Sequence, residues 1–167
     1  MTTLTNLLSN GADNDTALSA PGGVPLTYGA LRTLVARIPH VSRVTIVGGG
    51  LFPRTALILR DLLPDAVITI VDDNREHLEI AQSFLDGRAD GADTHARVTF
   101  RNELYDPRTP DSADLLVIPL AFIGDRQACY RESPARWTLI HDWLWNRHAD
   151  GALVSLWLLK RLNLVAR

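Results

Sequence analysis

The chain has 167 residues, a formal net charge of −2, 46% hydrophobic residues and one cysteine. That length and composition suit a single globular domain with a sizeable core, and the charge balance speaks against a polybasic nucleic-acid or membrane-surface binder. The lone Cys129 rules out an intrachain disulfide framework and fits a reducing compartment.

The start of the sequence carries no basic stretch followed by an apolar core, and no apolar run reaches the length of a bilayer-spanning helix. A cytoplasmic location is therefore expected. Residues 1–25 are rich in Thr, Asn, Asp, Ser, Gly and Pro, with a short apolar patch at Leu4, Leu7 and Leu8; they read as a loop-rich leading segment of the one domain. From Thr27 to Ile38, the spacing of Leu31, Leu34, Val35 and Ile38 predicts an amphipathic helix stopped by Pro39.

The β-branched run Arg43–Val47 predicts a first strand, followed by Gly48-Gly49-Gly50 and a helix over Pro53–Leu63. Proline suits a first helical position because its missing N–H is not needed there. Val67–Val71 predicts a second strand ending at Asp72 and Asp73, and Leu78, Ala81, Phe84 and Leu85 make the apolar stripe of a helix capped by Asp73 or Asn74. Asp86–Ala96 reads as a loop, Arg97–Phe100 as a third strand, and Asp114–Ile118 as a buried fourth strand ending at Pro119.

Beyond Pro119, Gly124–Arg136 is polar, and Ser133-Pro134 predicts the start of a helix carrying Trp137, Ile140, His141 and Leu144. Asp150-Gly151 leads into a predicted fifth strand, Ala152–Leu156, and residues 158–167 suit either a helix or an edge strand. Strands alternating with helices predict an α/β domain, a Rossmann-like three-layer arrangement with a parallel sheet. On this reading the chain ends soon after strand five.

The glycine run lets backbone approach a ligand without Cβ atoms in the way, and the helix after it points free N–H groups at the same place. Asp72, at the end of the neighbouring strand, is placed to accept hydrogen bonds from ribose hydroxyls. The dinucleotide pattern G-x-G-x-x-G places its third glycine where this chain has Pro53, which disfavours NAD or FAD.

These segments together resemble the class I S-adenosylmethionine-dependent methyltransferases over about residues 28–157. Val44–Gly50 is similar to the first motif of that family, Val71–Ala81 to its acidic-residue-plus-helix segment, and Val98–Leu104 to its third-strand segment. Asp114–Ala121 resembles the fourth strand and the loop beneath the methyl group, and Ala149–Val154 the glycine and fifth strand. The resemblance implies S-adenosyl-L-methionine as cofactor and strand order 3-2-1-4-5, with the family's usual last two strands missing. It implies cofactor binding by Gly48, Gly49, Gly50, Asp72, Asp73, Glu103, Leu104 and Pro119, with Asp72 on the ribose and Glu103 and Leu104 at the adenine.

Two positions depart from the family pattern. Ile46 stands where an acid is common, and Phe52 where a glycine is common. Gly48-x-Gly50-Leu51-Phe52-Pro53 is similar instead to the glycine loop of nicotianamine synthases, which transfer the aminocarboxypropyl group of the same cofactor. Methyl transfer to a small molecule is the leading expectation, with aminocarboxypropyl transfer and a non-catalytic or partner-dependent subunit as alternatives.

Other patterns carry less. The five histidines form no ligand cluster, and no CxxC or His-Glu-x-x-His pattern exists, so no metal is expected. His141 beside Asp142 reads either as a base oriented by a carboxylate or as part of an amphipathic core helix, and the helical spacing favours the second. Arg126 or Arg131 could clamp a substrate carboxylate or equally belong to a solvated loop. An uncovered edge formed by the apolar tail would favour a homodimer or larger assembly.

Overall fold

The Val/Ile runs at residues 43–47 and 67–72 form neighbouring parallel strands in the middle of one sheet. The computed structural model describes residues 26–48, 53–86, 97–109 and 111–167. Their elements are, in chain order, α1 (Leu26–Val35), β1 (Arg43–Val47), α2 (Arg54–Leu62), β2 (Val67–Asp72), α3 (Arg75–Asp86) and β3 (Val98–Asn102). They continue with β4 (Leu115–Ile118), α4 (Arg126–Arg131), β5 (Trp137–Trp143), β6 (Asp150–Ser155) and β7 (Lys160–Ala166). The expected loop-rich segment 1–25 lies outside the described residues.

The sheet has seven strands in the order β3-β2-β1-β4-β5-β7-β6. The first five are parallel in this order, as predicted. β7 runs antiparallel to both β5 and β6, so β6 points the same way as the first five.

The expectation that the last two strands are missing is overturned. Trp137–Trp143, read as helix, is β5, and Ala152–Leu156, read as strand five, belongs to β6. The physical reason is that a short, fully buried strand loses its alternation: Thr138, Leu139 and Ile140 are all buried, and such a run also satisfies helical spacing. Nor is the tail an open edge. β7 is paired on both sides, with Leu162 and Leu164 in the core, and β6 is the outer strand.

Side chains alternate between two cores. On one face Val44, Ile46, Leu115, Val117, Leu139 and Leu162 pack beneath the three longer helices, which contribute Leu31, Leu34, Leu59, Leu78 and Leu85. On the other face Val47, Leu116, Ile118 and Ile140 pack with Cys129, Ala135, Phe122, Tyr105 and Tyr130. This second face is thinly covered, since its only described helix is the single turn and a half of α4.

The link from β5 to β6 is equally reduced. A parallel crossover normally needs about a dozen residues or more, yet here residues 144–149 pass over β7 as irregular chain. A buried polar network holds them. Asn163 Nδ2 donates to the Asn146 carbonyl at 2.8 Å and to the Tyr130 hydroxyl at 2.6 Å. Tyr130 and Asn146 in turn donate to the two carboxylate oxygens of Asp142, at 2.7 and 2.8 Å. Trp143 and Trp145 stack with ring centroids 5.6 Å apart at the start of this link.

Candidate functional site

At the carboxyl edge of the sheet, the ends of β3, β2, β1 and β4 carry Glu103, Asp72, Gly48 and Pro119 in that spatial order. Gly48 leaves β1 at φ 68°, a left-handed conformation that favours glycine. Its N–H donates to the Val71 carbonyl at 2.6 Å, so the turn stays tied to β2. A Cβ on Gly48 would come within 3.6 Å of Pro119 Cγ, which places Pro119 directly beside the turn. Gly49 and Gly50 lie outside the described residues.

Asp72 is the last residue of β2 and is only 8% exposed. Its Oδ1 accepts the Asn74 N–H at 3.0 Å and lies 3.6 Å from His77 Nδ1. Its carbonyl accepts from the Glu103 N–H at 3.2 Å and from Asn102 Nδ2 at 3.0 Å, which joins the ends of β2 and β3. Asn74, rather than Asp73, caps α3, accepting from the Glu76 and His77 N–H groups at 2.9 and 3.4 Å. Asp73 is exposed. Glu103 is ion-paired with Arg101, and Leu104 beside it is 80% exposed, leaving an apolar surface next to a carboxylate.

The structure thus brings Gly48, Asp72, Glu103 and Pro119 to one edge and sets Asp73 and Leu104 on its rim. An adenosyl group fits the chemistry of these residues. A turn without Cβ, a buried carboxylate one strand over and a carboxylate with an apolar neighbour on the next strand are the donors and surfaces a nucleoside needs.

Arg126 takes neither of the two roles expected of it, carboxylate clamp or solvated loop residue. Its Nη2 donates to the carbonyls of Pro119, Leu120 and Phe122 at 3.1, 2.9 and 3.1 Å, and its Nη1 to the carbonyl of His141 at 2.9 Å. It pins the loop after β4 to the end of β5 instead of waiting for a substrate carboxylate. Its partners are backbone oxygens from two strand ends, so no local pattern announces the role.

His141 and Asp142 also separate. On a strand, adjacent side chains face opposite ways, and the Asp142 carboxylate belongs to the Tyr130–Asn146 network on the second face. It does not orient the imidazole. His141 Nε2 is buried with no hydrogen-bond partner. Burial first, and then the nearby charges of Lys160 and Arg126, push the imidazole down to about 4. Cys129 is fully buried, and burial pushes its thiol up to about 11, which suits a small core residue.

No family model and no curated protein sequence matches the chain. Solved structures do. The 16S rRNA methylase ArmA is similar over 98% of this chain and 97% of its own, with a TM-score of 0.60 and 11% identity. A methyltransferase from Geobacter sulfurreducens is similar over 98% of this chain and 88% of its own, with a TM-score of 0.59 and 15% identity. The plantazolicin methyltransferase BpumL, in complex with a monoazolic desmethylPZN analog and SAH, is similar over 83% of this chain and 52% of its own, with a TM-score of 0.50 and 14% identity. The fold is that of the class I S-adenosylmethionine-dependent methyltransferases. Among the described residues, no helix is long and apolar enough to cross a membrane, and no group of acidic, His or Cys side chains could hold a metal ion.

Proposed function

We propose that the chain binds S-adenosyl-L-methionine and transfers its methyl group to a small molecule. The observation that carries this reading is the row Glu103–Asp72–Gly48–Pro119 across four consecutive strand ends, on a fold shared with methyltransferases. Asp72 would accept the ribose hydroxyls, Glu103 and Leu104 would meet the adenine, and Gly48 would let the backbone come close. When bound, the cofactor supplies an electrophilic carbon on a sulfonium. The protein's own part is to hold an acceptor in line with that carbon and keep water out, an orientation effect, and Arg126 fixes the loop on which this alignment depends. No acid–base dyad is required of the site.

Calorimetry tests the reading. S-adenosylmethionine and S-adenosylhomocysteine should bind and NAD should not, with a large loss on Asp72→Ala. Silence with both at millimolar concentration overturns it. Incubation with a metabolite extract separates the alternatives by product: S-adenosylhomocysteine marks methyl transfer, methylthioadenosine marks aminocarboxypropyl transfer, and an unconsumed cofactor marks a non-catalytic binder.

A further inference from the structure

Exposed large apolar side chains are usually scattered singly, but here they gather at one edge of the sheet. β6 points the same way as the first five strands, so the β6–β7 turn leaves from the carboxyl edge, which also carries Gly48 and Asp72. That turn is Leu156-Trp157-Leu158-Leu159, with Leu156 62% and Trp157 89% exposed and both other leucines exposed as well. The chain leaving β5 lies against it, since the Leu144 N–H donates to the Leu159 carbonyl at 2.6 Å. It adds the stacked pair Trp143 and Trp145, both exposed. Two segments thus present one apolar tip, and Leu104 after β3 and Ile123 after β4 are exposed along the same edge.

The tip can leave water without stranding its backbone. The Leu159 N–H donates to the Leu156 carbonyl at 3.2 Å, and the Leu158 N–H to Ser155 Oγ at 3.1 Å. With the Leu159 carbonyl taken by Leu144, these groups stay paired in an apolar medium, where unpaired ones are costly. Leu159 also holds φ 52°, so a leucine stands where turn chemistry alone selects glycine or asparagine.

The charges beside the tip have one sign. From residue 143 to residue 167 the one acid is Asp150, which starts β6 at the opposite edge and pairs with Arg37 at 3.8 Å. Asp142 is buried, and its carboxylate accepts from Tyr130, Asn146 and the Trp143 N–H. Arg147 is exposed. With Arg161, Leu144, Leu153 and Leu156 it lines a cavity of about 200 Å³ at the base of the tip, and no described acid lines it. Arg161 Nε is buried without a partner, while its Nη2 reaches the Ala149 carbonyl at 3.5 Å.

We propose that this tip docks on an anionic phospholipid surface. Its Trp and Leu side chains enter the interfacial layer, and Arg147 meets the lipid phosphates, with Lys160 and Arg161 adding positive potential behind it. Tryptophan favours a boundary that is apolar on one side and wet on the other, and such binding grows with buried apolar area plus attraction to anionic lipid. The net charge of −2 does not oppose it, because salt screens charges beyond roughly 8 Å and the cations beside the tip are local. Docking there turns the carboxyl edge toward the lipid. The proposal does not rest on the methyl-transfer reading.

The test pellets the full chain with vesicles of phosphatidylcholine alone, or of phosphatidylcholine and phosphatidylglycerol in equal parts. The mixed vesicles should bind about tenfold more tightly than the neutral ones, and added salt should shrink the difference. Trp157→Ser should weaken binding to both about tenfold. Arg147→Gln should weaken binding to the mixed vesicles alone, about fivefold. Both positions are exposed, and unchanged urea midpoints show that the variants are folded.

Failure to pellet with mixed vesicles overturns the proposal, as does binding that Trp145→Ser and Trp157→Ser both leave unchanged. Equal binding to the two vesicles overturns the anionic surface. A dimer in sedimentation that Trp157→Ser dissociates and mixed vesicles do not assigns the tip to a second copy of the chain, and overturns the lipid surface.

Discussion

Asn163 on β7 donates a hydrogen bond of 2.8 Å to the carbonyl of Asn146, in the chain that crosses above it from β5 to β6. One buried side chain therefore anchors a crossover that usually takes the form of a helix. Asn163→Ala removes that bond and the one to the Tyr130 hydroxyl. We expect a loss of about 1–3 kcal/mol, read as a lower urea midpoint, while Asn163→Asp should not restore it because a carboxylate cannot donate.

Gly151 is fixed by contact rather than by backbone angle. A Cβ there would lie 2.2 Å from the Leu162 carbonyl oxygen, a backbone atom that cannot step aside cheaply. Gly151→Ala should cost about 1–3 kcal/mol or more and loosen the β6–β7 pairing, measured as faster amide exchange at the Leu162 and Leu164 N–H groups.

Gly48→Ala tests the turn at the carboxyl edge of the sheet and the proposed cofactor contact. The Cβ has room at 3.6 Å from Pro119, but φ 68° strains any L side chain, costing about 1–2 kcal/mol. The expected result is a modestly less stable protein with clearly weaker S-adenosylhomocysteine binding by calorimetry. Unchanged binding would mean that the backbone at Gly48 does not meet the ligand.

Acid should weaken the fold through His141. Its folded pKa lies at about 4, below the ordinary 6.5, so between those values the unfolded chain binds a proton that the folded chain refuses. Stability is unaffected by this group above the upper value and falls as pH drops toward the lower one, by up to about 3 kcal/mol. Urea unfolding at neutral and mildly acidic pH should show this loss in the native protein and a smaller one in His141→Gln. Asp114 adds a loss at lower pH. Burial alone would raise its pKa, but the Ser42 hydroxyl and the Ser42 and Arg43 N–H groups hold it below the usual carboxylate range. Its contribution disappears as pH falls through that depressed value.

Removing residues 158–167 deletes β7, which pairs with both β5 and β6. Loss of the cooperative thermal transition is the expected result by circular dichroism. A folded truncated protein would show that the outer strands are dispensable.

The sequence by itself determined the half of the sheet whose signals are local. β1, β2 and β4 are β-branched or leucine-rich runs punctuated by Gly48, Asp72 and Pro119, and α3 carries an apolar stripe of which Leu78, Ala81 and Leu85 are buried while Phe84 is exposed. That punctuation is why the row of residues at the carboxyl edge of the sheet was legible from residues alone.

Only the tertiary structure decided the other half. β5 is buried too deeply to alternate, and the β6–β7 turn is Leu156-Trp157-Leu158-Leu159, without the glycine or asparagine that marks most tight turns. Leu159 takes φ 52° there without being glycine, and Trp157 is 89% exposed. His141 and Lys160 come together only because an antiparallel strand inserts between two parallel ones. That pairing is a long-range event, held by Asn163 and the core, and nothing in residue spacing encodes it.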